Sequence, residues 1–484
     1  MDYSITMTSD NINQNLKKME FPWPSPVVSR GNELEIAVKK GIKFPFPDVI
    51  HAHAGDPQGM GQKPITFFQK LVSLCLNPKL MNESIFPEDV RIRARAILNE
   101  CKGHTIGSYT PTAGLDLVRK QVAKYIEERD GVKTNYHDIF MSSGATEAVR
   151  SVLSILNYST NDKPPGVMIP IPQYPLFSST VAEYGMYQIS YYLDEDNEWA
   201  IDMSELKRAV DESRKHCQPR ALVIINPGNP SGFVLTREDI QEIIRFAYNE
   251  NLFILADEVY QYNVYDENSK FISFRKVLTE MGPPYSEMEL ASFMSGSKGF
   301  MGECGARSGY CEIINLDNGV REMLMKSLTA KLCPTILGQI VMYGITNSPR
   351  PEEPSYEEFT SEKNAILLSL KQRAELCYRA FNSMEGMKCN KVVGSMYVYP
   401  RIFMPKKALE MAKERRQEPD EFYAMSLLEN SGICVIPGCL FGQRPETYHF
   451  RLTFLPQMDK LKIILQRIQE FHVKFMDIYR DEDI

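Results

Sequence analysis

Between about residues 105 and 315, short apolar runs alternate with stretches of helical periodicity, and this alternation constrains the fold more than any other feature of the chain. Residues 139–141, 167–169, 221–225, 252–256 and 290–293 have the character of strands buried on both faces. Another apolar stretch follows at 310–314. The intervening segments repeat apolar residues at helical spacing. One is 236–250, with Thr236 as N-cap and Ile240, Ile243, Ile244 and Ala247 on one face. Leu115, Val118, Val122 and Ile126 form a second stripe, closed by Gly131. A third helix, 145–156, follows a glycine turn. Such a pattern predicts an α/β fold, with a mostly parallel sheet flanked by helices on both faces.

The flanks read differently. Residues 1–30 are polar and then Pro-rich (Pro22, Pro24, Pro26), which predicts an extended N-terminal arm. The Pro/Glu/Ser stretch 347–362 reads as a linker or crossover. Beyond it, 396–399, 433–436 and 450–454 have strand character. A last amphipathic helix carries Leu461, Ile464, Leu465, Ile468, Phe471 and Phe475. The expected organisation is an arm over 1–30, a large domain over 64–345, and a smaller α+β domain from 31–63 and 346–484. A net charge of −7 with no dense Lys/Arg face argues against a nucleic-acid binder. No apolar run approaches transmembrane length. Ten cysteines without a Cys-x-x-Cys pair suit a reducing compartment, and the expected location is the cytoplasm.

Chemistry-bearing residues cluster where strands end. The segment Ser295-Gly-Ser297-Lys298-Gly leads from an apolar strand into a small-residue turn, and Arg307 follows in a second glycine-rich turn. A lysine at the mouth of a sheet can be desolvated into an amine nucleophile that condenses with a carbonyl cofactor. Ser295, Ser297 and Arg307 suit a phosphate. A solvated loop lysine beside an arginine is the alternative. Asn226-Pro-Gly-Asn229-Pro-Ser-Gly232 directly follows the run 221–225 and predicts a rigid turn at a carboxyl end, where open α/β sheets place ligands. Asp257-Glu-Val-Tyr260 ends the next strand. A carboxylate there is costly unless paired with a cation, such as a protonated pyridine nitrogen. A helix N-cap aspartate is the other reading.

Weaker signals accompany these. Ser142-Ser-Gly144-Ala145-Thr146 joins a strand to a helix and can present backbone N–H groups to a phosphate, although no dinucleotide or Walker fingerprint is present. Tyr174 can stack on a flat ring or sit in the core. Tyr109 lies in a loop that can reach a phosphate or simply form a turn. Arg451, in a strand pattern, can grip a carboxylate with two parallel bonds or form a surface ion pair. His51 and His53 share a strand face without a third ligand in sequence, so no metal is assigned.

These motifs, in this order, resemble the fold type I pyridoxal-phosphate-dependent aminotransferases, and within them the alanine aminotransferase group, from about residue 5 to 478. The segments carrying the likeness include Gly55-Asp-Pro-Gln-Gly-Met-Gly-Gln-Lys-Pro64, Ser297-Lys-Gly-Phe-Met-Gly-Glu-Cys-Gly305 and Tyr448-His-Phe-Arg451. Arg307 lies nine positions after Lys298, a spacing that group shares. Residues 53–55 read His-Ala-Gly where the family usually has Asn-Ile-Gly. The resemblance implies pyridoxal 5'-phosphate as cofactor, held by a Schiff base at Lys298. Asp257 would keep the pyridine nitrogen protonated, Asn229 and Tyr260 would hold the phenolic oxygen, and Tyr174 would stack on the ring. Ala145, Thr146, Ser295, Ser297 and Arg307 would hold the phosphate. Tyr109 would reach the neighbouring subunit's cofactor in a homodimer. Arg451, beside the Gly55 backbone, would clamp the α-carboxylate. The implied reaction is ping-pong transamination between L-alanine and 2-oxoglutarate; glutamate:glyoxylate transamination, or another reaction on the same cofactor, is the alternative. No motif assigns a group for a second substrate carboxylate, for which Lys331 is a candidate.

Overall fold

Seven strands form the central sheet of the computed structural model, which describes residues 7–19 and 25–480. Pro22, Pro24 and the acidic end from Asp481 lie outside the described residues. In spatial order the strands are Ile139–Ser142, Gly309–Ile314, Leu290–Ser295, Phe253–Asp257, Gln218–Ile225, Pro165–Ile171 and Tyr187–Tyr192. The last five run parallel, with Ile225 opposite Asp257 and Asp257 opposite Phe293. Gly309–Ile314 runs antiparallel to both of its neighbours, a reversal that apolar runs alone do not encode. The edge strand Tyr187–Tyr192 has no signal in the sequence reading, because Gln188 and Ser190 interrupt its apolar character.

Successive strand residues face opposite layers, and both layers are apolar. Val223, Ile225 and Leu255 pack with Val149, Val152 and Phe177 on one face. Leu222, Ile224 and Ile254 pack with Ile240, Ile243 and Ile244 on the other. A strand covered on both sides must be apolar throughout, which is why these runs do not alternate. The helices follow their sequence signals. Helix Arg237–Glu250 starts at a capping box in which Thr236 Oγ1 accepts from Asp239 N and Asp239 Oδ2 accepts from Thr236 N. Helix Asp116–Asp130 ends at Gly131 in the left-handed conformation.

The remaining elements pack beside this sheet. Helix Pro26–Lys39, capped by Ser25, buries Val27, Val28 and Leu34, so the end of the expected arm is helical and part of the core. The stretch 347–362 is not all linker: Tyr356 opens a helix that runs to Asn382, with Glu357 and Glu358 in its first turn. The run 433–436 divides into two short strands. Ile433–Cys434 pairs with Ile50–His51, and Ile436–Pro437 pairs with Phe450–Thr453. Tyr397–Val398 lies on the other side of Phe450–Thr453, which brings Tyr397 and Arg451 into one small sheet. The final helix Met458–Tyr479 buries Leu461, Ile464, Leu465, Ile468, Phe471 and Phe475, the stripe read from the sequence. No helix among the described residues is long and apolar enough to cross a membrane.

Arg373, 2% exposed, ties the long helix to the chain that leaves Phe450–Thr453. Its Nη1 donates to the carbonyls of Leu455 and Pro456. Arg373→Met keeps much of the apolar stem but leaves these acceptors without that donor. The expected destabilisation is about 1–3 kcal/mol for each carbonyl left buried and unpaired, read as a lower urea midpoint at unchanged slope.

Candidate active site

A cavity of about 380 Å³ opens where the carboxyl ends of the parallel strands meet residues 53–56, Tyr397 and Arg451. Twelve of the thirteen residues singled out in sequence line it: Gly55, Ala145, Thr146, Tyr174, Asn229, Asp257, Tyr260, Ser295, Ser297, Lys298, Arg307 and Arg451. Tyr109 is the exception. It lies outside the cavity and is 74% exposed.

One end of the cavity is built for an anion. Helix Ala145–Leu156 begins at Gly144, which adopts φ +86° and provides no side-chain cap, so the first N–H groups of the helix lack a side-chain partner there. A Cβ on Gly144 would fall 2.5 Å from Arg307 Nη2, so only glycine lets the guanidinium lie against this turn. Arg307 is anchored by bonds from Nη1 to Cys304 O (3.1 Å) and from Nη2 to Ser143 O (3.4 Å). Ser297 donates its N–H to Ser295 Oγ at 3.1 Å, while Ser297 Oγ is buried with no hydrogen-bond partner.

The middle of the cavity holds an acid and an amine in an apolar setting. Asp257 is the last residue of its strand and is 5% exposed. Its carboxylate accepts one long bond, from Val259 N at 3.4 Å, and burial pushes its pKa up to about 7. Lys298, on the turn after the neighbouring strand, donates from Nζ to Gly55 O at 2.8 Å. Burial lowers the pKa of this amine, but Tyr397, Cys304 and Tyr174 outweigh that effect and leave it above the usual lysine value. Tyr260 receives a bond from Asn229 Nδ2 at 3.4 Å, and its hydroxyl also bonds that of Tyr397.

The far end presents a guanidinium fork. Arg451 is 7% exposed, with its guanidinium between the rings of Tyr397 (4.1 Å) and Phe441 (4.6 Å). Nη1 donates to Asn229 Oδ1 at 3.2 Å and Nη2 to His53 O at 3.1 Å, while Nε is buried without a partner. A planar fork with spare buried donors fits a carboxylate.

His53, named in sequence beside His51 and in the 53–55 departure, lines the cavity; sequence reasoning missed Tyr397 and Phe441. Each reaches the site from a segment whose apolar or aromatic residues look like core, and no spacing rule connects them to Arg451. Lys331, the candidate for a second carboxylate, donates to Ser151 Oγ at 2.9 Å and does not line the cavity. His51 and His53 do gain a third neighbour in the fold. Their ligand atoms and Cys434 Sγ all lie within 4.8 Å of one another, because His51 and Cys434 are partners in a strand pair. Burial, then His51 and Arg451, hold His53 neutral with a pKa of about 3, and burial pushes the Cys434 thiol up to about 12. His53 and Cys434 are therefore uncharged at neutral pH.

The sequence profile of the family Aminotransferase class I and II matches residues 70–468. The chain is 50% identical over 475 residues to alanine aminotransferase 2 of Xenopus laevis, covering 98% of this chain and 88% of that protein. It is 48% identical over 471 residues to alanine aminotransferase 1 of Homo sapiens, covering 97% and 95%. Among solved structures, alanine aminotransferase from Pyrococcus furiosus superposes with a TM-score of 0.75 at 22% identity, over 96% of this chain and all of that one. An aminotransferase from Escherichia coli gives the same TM-score at 21% identity over 98% and 99%. These two structures share the fold.

The buried carboxyls beneath the cavity carry a pH signature of their own. Asp257 and Glu258 are both raised to about 7 by burial, so between about pH 4 and 7 the folded protein binds protons that the unfolded chain has released. Stability of the cofactor-free protein should therefore fall as pH rises through that window. Asp257→Asn should remove up to one proton from the linkage, about 1.4 kcal/mol per pH unit of slope. Urea midpoints at pH 5 and pH 7 for both proteins check this. An unchanged slope would mean that Asp257 titrates normally.

Proposed function

Because this chain belongs to the class I and II aminotransferase family, we propose that it transfers an amino group from L-alanine to 2-oxoglutarate, yielding pyruvate and L-glutamate. The observation that carries this reading is the convergence of Lys298, Asp257 and Arg451 on one cavity between an anion cradle and a carboxylate clamp.

Pyridoxal 5'-phosphate is the cofactor of the family, and when bound it supplies the electron sink that lets a substrate Cα–H bond break heterolytically. The residues present fit it. Asp257, buried and without a cation bonded to it, suits a protonated ring nitrogen. The unpartnered Ser297 Oγ, the N-terminus at Ala145 and Thr146, Ser295 and Arg307 suit its phosphate. Asn229 and Tyr260 suit its phenolic oxygen, and Tyr174 suits its ring face.

Each substrate-facing group then has a task. Arg451 binds the α-carboxylate and fixes the direction of the Cα–H bond. Lys298 Nζ holds the cofactor and afterwards moves the proton taken from the substrate Cα. Alanine gives up its amino group and pyruvate leaves before the oxo-acid acceptor binds, so the kinetics are ping-pong.

The same reading covers assembly and location. Tyr109, exposed at 74%, and Leu332, exposed at 61%, lie near a contact at the end of helix Asn318–Ala330, where the hydroxyls of Thr112 and Thr329 are 3.2 Å apart. These two exposed side chains suit a homodimer in which Tyr109 reaches the partner's cofactor site. Ten free cysteines support a cytoplasmic location. On this reading the chain divides into a cofactor-binding domain over 64–345 and a second domain of 31–63 with 346–484, to which helix Pro26–Lys39 joins the end of the expected arm.

Purified protein with pyridoxal phosphate should form pyruvate from L-alanine and 2-oxoglutarate, and Lys298→Ala should lose that turnover by several orders of magnitude. Faster turnover with glyoxylate as acceptor would replace the alanine reading by a glyoxylate-directed one. Arg451→Lys keeps the charge but not the fork. Its kcat/KM for alanine should fall by the equivalent of about 1.5–3 kcal/mol, while single turnover of ethylamine, which has no carboxylate, should change little. Equal losses for both would make Arg451 structural.

A further inference from the structure

The strand pair that leads residues 50–55 into the cavity also brings together two imidazoles and a thiol. His51 and His53 are two positions apart in extended chain and share one face, with ring centroids 5.3 Å apart at 79°. Cys434 stands opposite His51 in the parallel pair of Ile50–His51 with Ile433–Cys434. One ligand atom from each of the three lies within 4.8 Å of the other two. Gly31, on helix Pro26–Lys39, borders the group: a Cβ there would come 3.2 Å from Cys434 Sγ and 3.4 Å from His51 Cε1.

Both imidazoles are oriented by acceptors outside the trio. His51 Nε2 lies 3.3 Å from Glu35 Oε2. A carboxylate oxygen accepts, so Nε2 carries the proton and Nδ1 the lone pair. His53 donates a ring N–H to the backbone of Cys434, which leaves its other nitrogen as the basic one. An acceptor on the outer nitrogen is what sets the tautomer and direction of a histidine that holds a metal. His53 also stands where the family usually has Asn, so the trio is not part of the shared aminotransferase machinery.

We propose that His51, His53 and Cys434 bind a thiophilic divalent cation of the zinc class. Two imidazoles and a thiol select against Mg2+ and Ca2+, which take oxygen ligands, and leave a fourth position for water. Binding replaces the S–H bond of Cys434 by a metal–sulfur bond, and the proton leaves to solvent. Metal–nitrogen distances of about 2.0–2.1 Å and a metal–sulfur distance of about 2.3 Å set tetrahedral ligand atoms about 3.3–3.6 Å apart, so the trio closes by on the order of 1 Å. Entry is past His51, whose side chain is 23% exposed, while His53 and Cys434 are buried. Arg451 donates to the His53 carbonyl and opposes a further positive charge nearby. The thiolate formed on binding and the Glu35 carboxylate offset it. The cation clasps residues 50–53 to Cys434 and steadies the carbonyl that Arg451 uses, so it is a structural ion beside the site and not a reactant in it.

Holoenzyme stripped with a chelator and then dialysed against micromolar Zn2+ should retain one zinc per chain, and excess Mg2+ should not displace it. Its thermal midpoint should rise with zinc concentration. Zinc-edge X-ray absorption should show one sulfur and two imidazole rings, a set that only this trio offers among the described residues. Cys434→Ala should delete the sulfur neighbour, and Cys434→Ala and His51→Gln should each weaken zinc retention by at least about tenfold. The cofactor's absorbance band shows that each variant folds. If a variant loses that band, the wild-type zinc count and ligand set decide. No zinc retained by the wild type, a zinc shell without one sulfur and two imidazoles, or a sulfur neighbour that persists in Cys434→Ala would overturn the assignment.

Discussion

A carboxylate buried at the end of a central strand, with no cation bonded to it, is the constraint on which this site depends. Asp257 accepts a single long hydrogen bond in an environment that disfavours its charge. Left alone, it is a liability of the kind that drives a group to neutralise. On the proposed reading, a protonated ring nitrogen would convert that liability into binding energy, and Asp257 would keep the nitrogen protonated. The parallel sheet makes this possible. Strands covered on both faces are apolar along their length, so polar groups collect at the carboxyl ends, where Asn229, Asp257 and Lys298 lie on three successive connections.

The second constraint is the join between the sheet and the elements that follow it. Arg451 belongs to a small sheet with Tyr397, yet bonds Asn229 on the main sheet's turn and the carbonyl of His53. The two rings that sandwich it exclude water and fix the plane of the fork. Asn229 thus serves two masters, accepting from Arg451 through Oδ1 and donating to Tyr260 through Nδ2. A group bound at Arg451 would therefore be linked through Asn229 to the hydroxyls at the cavity's centre.

The legible parts of this protein are those where chemistry demands a residue type at a fixed place in a turn. Lys298, Asp257 and Asn229 follow strands directly, and their neighbours are small or cyclic, so the sequence carries their position. Helices with clear caps, such as Arg237–Glu250, were equally plain. Strand direction was not, since Gly309–Ile314 looks like its parallel neighbours but runs against them. The Pro/Glu/Ser composition of 347–362 masked the start of a long helix, whose signal was the acidic pair Glu357 and Glu358. Tyr397 and Phe441 were hidden for a different reason. An aromatic in a small strand or turn reads as core, and only the fold reveals that Arg451 lies between these two.

The most direct test of the account is the protonation state of the cofactor's ring nitrogen in the holoenzyme, followed by nitrogen-15 NMR with labelled pyridoxal phosphate. Pairing with Asp257 predicts a pyridinium signal that persists well above the pH at which the free cofactor loses this proton, and a neutral-pyridine signal in Asp257→Ala. A neutral nitrogen in the wild-type protein, or a pyridinium that survives in Asp257→Ala, would contradict it.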